Sequence, residues 1–520
     1  MTGPGRGRRY LAIVATLAIV YTVCMSALSI RQHHAFRTQM NDLGNHVQAI
    51  ESAAHGNLAM AQSNTLDPAI DTRLGVHANL VYWLIAPLYR VIPMPELLLI
   101  LASIGLGAAG LGLFAYARHR LGETAWCLVP PIAFWASPIV HDSNLYDFQV
   151  LALASAFTIW MVWAFETGHR RTAWTLLALA CACKENMPLV TLFYGVALML
   201  DPARRRTGAR IALVSAVYFA AVVWVMIPLI NGGHGLEKLH GSGSRYGWIT
   251  PGLLVEQLVR PDRLRVPVYL CISGAIVALG QWRLLLPVIP EVGASVLSDM
   301  PFTTRVTGTY YWLICISFIM MACVAAAAPT VRAQPPRRPW PLVYLGGVTV
   351  VLSLLLSPLP HAVGSSWRNY DLPSDRGAFD RVAARIPDSA AVCAQNNLGP
   401  HLEPSRAIYV FPACRDAEYV LVWPRYIGGP DAGLSVRTTR IPMGYGLVSA
   451  GWLRDGWSLV TEDRGCYLFR RAPAGTSDTG PAIDALKRDV WRSERDHASA
   501  RVGGFGWTRW LNEPLSWSGR

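Results

Sequence analysis

The sequence predicts a polytopic α-helical membrane protein of about eleven transmembrane helices, closed by a small C-terminal α/β domain. Three observations predict it. The 520 residues are 52% hydrophobic and 15% charged, with mean hydropathy +0.30, whereas soluble domains carry about 25% charge. Apolar stretches of spanning length recur between short polar loops. From residue 359 that pattern gives way to strand-like and helix-like segments.

The chain opens with a basic run, GRGRR at 5–9, and an apolar stretch, Leu11–Ile30. No small-residue cleavage site follows it, so it reads as an uncleaved first span. The other apolar stretches lie near 96–117, 124–140, 148–166, 172–183, 187–200, 210–230, 266–280, 283–297, 310–330 and 341–358. Lys184-Glu185-Asn186 separates two of them, as a tight hairpin or a break in one helix.

Orientation follows from charge. The net charge of +13 is concentrated in RHR (118–120), HRR (169–171), RRRTGAR (204–210) and VRAQPPRR (331–338). The positive-inside rule distributes charge this way, and no aromatic-interleaved basic surface points to nucleic acid. Residues 77–92 are short and polar-ended, and making them a span would throw the basic loops out of phase. They are expected as an interfacial helix with Tyr82, Trp83 and Tyr89. The expected result is a multi-pass protein of the cell membrane with a cytoplasmic N-terminus. Residues 1–358 then form the membrane domain, whose first outer loop and surface helices occupy 31–95. An extracytoplasmic α/β domain spans 359–475, and a flexible or membrane-resting tail spans 476–520. In the soluble part, DRGAFDRVAARIP reads as an amphipathic helix. SAAVCAQ, AIYVF, AEYVLVW, WSLVTED and GCYLFRR read as strands. Of the ten cysteines, Cys393, Cys414 and Cys466 fall here, enough for one disulfide and one leftover thiol.

The outward loops collect the ionisable residues: Asp42 and His77 in the first, Asp142 and Asp147 in HDSNLYDFQ, Lys184 and Glu185 at the hairpin, then Arg245 and Arg305. Charges beside spans mark function by default. Each also has a plainer role open to it: Asp42 as a helix N-cap, Lys184–Glu185 as a self-compensating pair, and Asp142 and Asp147 as solvated loop acids. Histidine spacings match no metal site. No Walker loop, G-x-S-x-G or H-E-x-x-H occurs.

The order of features is that of a known class. An N-terminal span leads to a long loop with an early Asp, then to HANLVYWLIAPLYRVIP and an inward span ending in Arg. This resembles the GT-C glycosyltransferases, among them protein mannosyltransferases and the lipid A aminoarabinose transferase. More closely, residues 10–425 resemble a membrane family catalogued as domain of unknown function 2079. That likeness rests on Asp42-Leu43-Gly44, His77, Ala86-Pro87-Leu88-Tyr89, Tyr146-Asp147-Phe148, Lys184-Glu185-Asn186, Leu286-Pro287 and the run Ala394 to Leu402. Two positions depart from the patterns: Asn41 stands where GT-C loops often carry a second acid, and Asn186 where the closer family usually carries Asp.

The resemblance implies transfer of a sugar from a polyprenyl-phosphate-linked donor to a glycan, lipid or protein acceptor at the outer face. Asp42 would be the general base, with Asp142, Asp147 or Glu185 orienting the acceptor or holding a divalent cation, the one cofactor left open. His77 would bind substrate, and Lys184, Arg305 or Arg245 would neutralise the leaving phosphate. Two other classes stay open: a transporter or flippase of a lipid or small solute, and a non-catalytic membrane scaffold. Against transport, no inverted repeat is visible and the charges gather at one surface.

Overall fold

A computed structural model of the chain describes residues 4–63, 70–233, 258, 260–298, 301–335, 337–363, 365, 367–424, 453, 456–473 and 479–500. It is mostly helical, and five of its helical runs are long and apolar enough to cross a membrane: Gly7–His34, Pro95–Leu121, Arg205–Ile230, Asp262–Val296 and Leu313–Arg332. Four shorter apolar helices, Ala125–Ala136, Leu151–Glu166, Met187–Met199 and Trp340–Leu356, pack among them. The sequence counts 266–280 and 283–297 as two spans. The structure makes one 35-residue helical run there, kinked at Gly274, whose φ of 133° is open only to glycine.

Helix α1 (Pro4–His34) leads into a π-turn, Met40–Gly44, and then into α2 (Asn45–Ala54). Helix α3 (Tyr82–Val91) has ten residues, about 15 Å, half of a hydrocarbon core. It buries Tyr82, Ile85, Ala86 and Tyr89 and exposes Leu84, Leu88 and Val91. That i, i+3, i+4, i+7 stripe is what a helix lying on a surface needs. The Trp83 indole donates to the Leu58 carbonyl at 3.1 Å.

Helix α4 (Pro95–Leu121) runs antiparallel to α1. His34 pairs with Glu96 at one end (2.8 Å), and Gly7 lies against Glu123 at the other. The basic runs collect at the Glu123 end. Arg120, Arg204 and His119 surround the nearly buried Glu166 carboxylate at 3.7, 3.6 and 4.0 Å, and Arg332 donates to the His119 carbonyl at 2.8 Å.

Next come α5 (Val129–Ala136), α6 (Pro138–Leu145), α7 (Leu151–Glu166), α8 (Arg170–Cys183), α9 (Met187–Met199) and α10 (Arg205–Ala220). Gly195 of α9 faces Gly208 and Ala212 of α10 so closely that a Cβ on Gly195 would stand 2.6 Å from the Ala212 nitrogen. Small residues give membrane helices their contact, and buried hydroxyls join them. Thr191 meets Ser215 at 2.8 Å, and Asn144 of α6 donates to Ser29 of α1 and Ser103 of α4 at 3.0 Å each. Helix α11 (Pro261–Leu270) opens the kinked run and α12 (Ile289–Val296) ends it. The buried α13 (Leu313–Arg332) and then α14 (Trp340–Leu356) complete the bundle.

The C-terminal part begins with α15 (Arg376–Ala383). Five strands follow: β1 (Val392–Ala394), β2 (Ile408–Val410), β3 (Tyr419–Val422), β4 (Trp457–Asp463) and β5 (Cys466–Arg471), in the order β2-β1-β3-β5-β4. β1 is parallel to both neighbours, and β5 is antiparallel to β3 and β4. Strand alternation sorts the side chains. Val392, Ala394, Leu421 and Leu468 pack toward Phe379 and Val382 of α15, together with Phe36 and Met40 of the first loop. Cys393, Val420 and Phe469 pack toward Ile483, Leu486 and Val490 of α16 (Gly480–Ala500). The stretch from 476 is therefore not only a tail, because its helix covers one face of the sheet. Cys393 and Cys414 form the disulfide, leaving Cys466 as a buried thiol. Trp507, Trp510 and Trp517 lie outside the described residues.

Candidate functional site

The Asp42 turn is held from two sides. The buried Asp147 carboxylate accepts the Gln39 N–H at 2.9 Å, and the Gln149 amide donates to Asp42 Oδ1 at 3.2 Å. Asp147 takes a left-handed φ of 57°, which Asp tolerates better than most residues. From the sheet domain, the Asn396 carbonyl accepts Met40 N–H (2.7 Å), its Oδ1 accepts Asn41 N–H (3.1 Å), and its Nδ2 donates to Gln39 Oε1 (3.0 Å). Asn397 donates to the Phe36 carbonyl at 3.0 Å. A π-turn leaves its backbone less regularly bonded than an α-turn and is common at functional sites.

Beside this turn opens a cleft lined by Asn41, Asp42, His46, Arg73, His77, Asn79, Gln149, Val150, Lys184 and Tyr310. It holds about 350 Å³ of empty space, counting the part open to solvent. Its far wall is the hairpin between α8 and α9. There Lys184 Nζ stands 5.7 Å from the centre of the Tyr310 ring, a cation–π distance. Glu185 Oε1 lies 2.8 Å from His77 Nδ1, and Glu185 Oε2 accepts the Ala78 N–H at 3.2 Å. Asn79 donates to the Cys183 carbonyl at 2.6 Å and accepts from Arg73 Nε at 2.7 Å. These bonds tie the first loop to the hairpin.

Charge states follow from this packing. Burial alone would raise Glu185, but the His77 contact and Lys184 outweigh it and hold the carboxyl well below the usual range. Burial pushes His77 down to about 4, with Glu185 opposing and Arg73 and Lys184 adding to the fall. His46, hydrogen-bonded to the Tyr82 hydroxyl at 2.5 Å, is lowered by burial first and by Arg73 next. At neutral pH both histidines are neutral, while Asp42, Arg73 and Lys184 line the cleft with one negative and two positive charges.

The sequence-derived candidates divide accordingly. Asp42, His77 and Lys184 meet in the cleft, and Glu185 stands behind His77. Asp147 supports the turn from behind. Asp142 is buried and accepts the Gly308 N–H at 2.9 Å, bracing the segment that carries Tyr310. Arg305 is half-buried near the same segment, outside the cleft lining, and its carbonyl accepts the Trp312 indole at 2.7 Å. Arg245 lies outside the described residues. Sequence reasoning passes over Arg73, Asn79, Gln149, Tyr310 and Asn396. Asn79, Gln149 and Asn396 lie inside the quoted motifs, but an uncharged amide gives no local sign of what it will bond. Arg73 is a buried cation opening a four-residue helix, Arg73–Val76, with no local pattern to mark it.

Among the described residues, the cleft lining does not fit a divalent cation. Among the described residues no three His, Cys, Asp or Glu side chains cluster to hold a metal ion, and the cleft's cations would repel one.

No curated protein matches this sequence. Among solved structures, the oligosaccharyltransferase of Archaeoglobus fulgidus, crystallised with a tethered acceptor peptide, aligns with 88% of this chain and 74% of its own at 11% identity. Its TM-score of 0.39 is too low to establish a shared fold. The sequence family described as "Predicted membrane protein (DUF2079)" matches residues 32–424, which take in the Asp42 turn, the hairpin and the Asn396 segment. The chain belongs to that family of membrane proteins.

Proposed function

We propose that this protein is a membrane glycosyltransferase of GT-C type that moves a sugar from a polyprenyl-phosphate-linked donor to a cell-envelope acceptor at the outer face of the membrane. The observation that carries the reading is the cleft in which Asp42 shares walls with Lys184, Arg73 and His77. It is built from the loop that follows the His34–Glu96 end of α1, whereas the basic runs gather at the Glu123 end. The Cys393–Cys414 disulfide suits an oxidising compartment for the sheet domain. The bilayer holds the donor's lipid, and the acceptor is a glycan, lipid or protein rather than nucleic acid.

In the reaction, an acceptor hydroxyl oxygen bonds to the anomeric carbon. The bond from that carbon to the phosphate oxygen breaks, with its electron pair leaving on the lipid phosphate. The hydroxyl proton goes to the Asp42 carboxylate. Charge builds on the phosphate as the sugar gains oxocarbenium character, so Lys184 and Arg73 stabilise the transition state more than the ground state. Asp142 and Asp147 keep the walls in place.

The test is mass spectrometry of envelope glycans and glycoproteins in a deletion strain complemented with wild type or Asp42→Asn. The expected result is a glycan lost on deletion, restored by wild type and not by the variant. Full restoration by Asp42→Asn would remove the catalytic assignment. A second reading, transport of a lipid or small solute, draws on the broken helical run kinked at Gly274. Unchanged glycans in the deletion strain would favour it.

A further inference from the structure

The Glu185–His77 pair carries more than its place in the cleft wall. Both Glu185 oxygens are engaged, one by His77 Nδ1 at 2.8 Å and one by the Ala78 N–H at 3.2 Å. An ionised carboxylate only accepts, so Nδ1 carries the hydrogen and donates it. A neutral imidazole then has its lone pair on Nε2. None of the described residues hydrogen-bonds Nε2, and His77 is one of the residues lining the cleft. Its charged and titratable neighbours are Glu185, Arg73, Lys184 and His46, with Asp42 lining the same cleft.

We propose that His77, oriented by Glu185, is a substrate-binding hydrogen-bond acceptor whose Nε2 receives a neutral hydroxyl group of the acceptor. This rests on the glycosyl-transfer reading and narrows its acceptor to an alcohol, from a carbohydrate or a hydroxyl-bearing side chain. The cleft's charges select it. Arg73 and Lys184 repel an ammonium group, and a carboxylate or phosphate would bring Nε2 no hydrogen. An O–H satisfies Nε2 without opposing either cation. Asp42 and His77 thus present two acceptors, one for the reacting hydroxyl and one for a neighbouring hydroxyl that fixes its position.

The test is labelling of the full-length protein in detergent with diethyl pyrocarbonate, which modifies only unprotonated imidazole nitrogens, read by peptide mass spectrometry. An ordinary histidine loses about tenfold in neutral fraction between about pH 7.5 and pH 5.5. His77 is expected to change less than about twofold, because its environment keeps it neutral. In Glu185→Gln, the Ala78 N–H still requires an acceptor, so the amide oxygen takes that side and its NH2 faces Nδ1. The imidazole hydrogen then moves to Nε2, and labelling and glycan product should each fall about tenfold. His77→Gln, whose amide oxygen can stand near the Nε2 position, should retain more product than His77→Ala at equal membrane levels. Absence of labelling in the wild type, or Glu185→Gln matching the wild type in labelling and product, would overturn the proposal. Loss of an amine-linked rather than an oxygen-linked sugar on deletion would overturn the acceptor class. Labelling reads the pair without any sugar transfer, so its result stands apart from the glycan result that decides the broader reading.

Discussion

Asn396 is the residue through which the sheet domain grips the Asp42 turn, and Asn396→Ala isolates that grip. The substitution removes two side-chain bonds, to Asn41 N–H at 3.1 Å and to Gln39 Oε1 at 3.0 Å. It keeps the bond from Met40 N–H to the residue-396 carbonyl. Asn41 is exposed and can rebond to water, whereas Gln39 is buried and cannot do so easily. Two net hydrogen bonds, one of them to a buried amide oxygen, sum to about 2 kcal/mol. If the turn opens locally, amide exchange at residues 39–44 should speed up by about thirtyfold. Hydrogen–deuterium exchange on the full chain in lipid nanodiscs reads this, with β1, β3 and β5 as internal control. Acceleration confined to the turn is the expected result. Unchanged exchange at 39–44, or equal acceleration in the sheet, would refute the claim that Asn396 acts as a local clamp.

Three further outcomes follow from the same geometry. The Cys393–Cys414 bridge closes a 21-residue separation, worth about 3 kcal/mol by loop entropy. Cys393→Ala/Cys414→Ala should therefore lower the sheet domain's unfolding midpoint and leave the helical bundle's unchanged, read by differential scanning calorimetry. Stability should also fall on acidification. His77 is lowered to about 4, so its contribution is complete above the unfolded value of about 6.5 and is lost as pH drops toward 4. Glu185, also lowered, loses its contribution at still lower pH, so both slopes have the same sign. Thermal unfolding between about pH 7 and pH 4 checks this, and His77→Gln should flatten the upper part of the curve. Asp147→Asn keeps an oxygen for the Gln39 N–H and should cost under about 1 kcal/mol, whereas Asp147→Ala strands a buried donor and should cost about 2 kcal/mol, measured by denaturant titration.

The legible parts of the chain are those in which local pattern and environment coincide. All five strands of the sheet domain fall within the segments read as strands: helices of the same small domain cover β1, β3 and β5 on both faces, so they read as short apolar runs, whereas the edge strand β4 is largely exposed and alternates. The short helix α3 is legible because charge phasing rules out a span. The run 262–296 is not, since hydropathy registers a polar interruption but not whether the helix ends or bends through it. Within the cleft, sequence pattern finds carboxylates and lysines and cannot separate those that face a ligand from those that brace backbone. Asp42 and Asp147 differ in that respect only through folding: one lines the cleft, and the other is buried against the Gln39 amide. Gln149 acquires meaning from Asp42, 107 residues before it, and Arg73 from a cleft whose other wall is the distant Lys184 hairpin.

The two ends of the bundle handle acidic groups differently, and the difference argues where chemistry belongs. At the Glu123 end the nearly buried Glu166 carboxylate is ringed by Arg120, Arg204 and His119. Charge there is compensated within the protein, and removing one partner would strand the rest. At the other end three buried acids hold backbone: Asp142 accepts Gly308 N–H, Asp147 accepts Gln39 N–H, and Glu185 accepts Ala78 N–H besides meeting His77. Using acids to fix backbone leaves the cations Lys184 and Arg73 in the cleft wall without a carboxylate bridging either one among the described residues. Two such cations beside one half-buried Asp favour an anionic group arriving from outside. A purely structural end would instead have paired them, as the Glu166 cluster does.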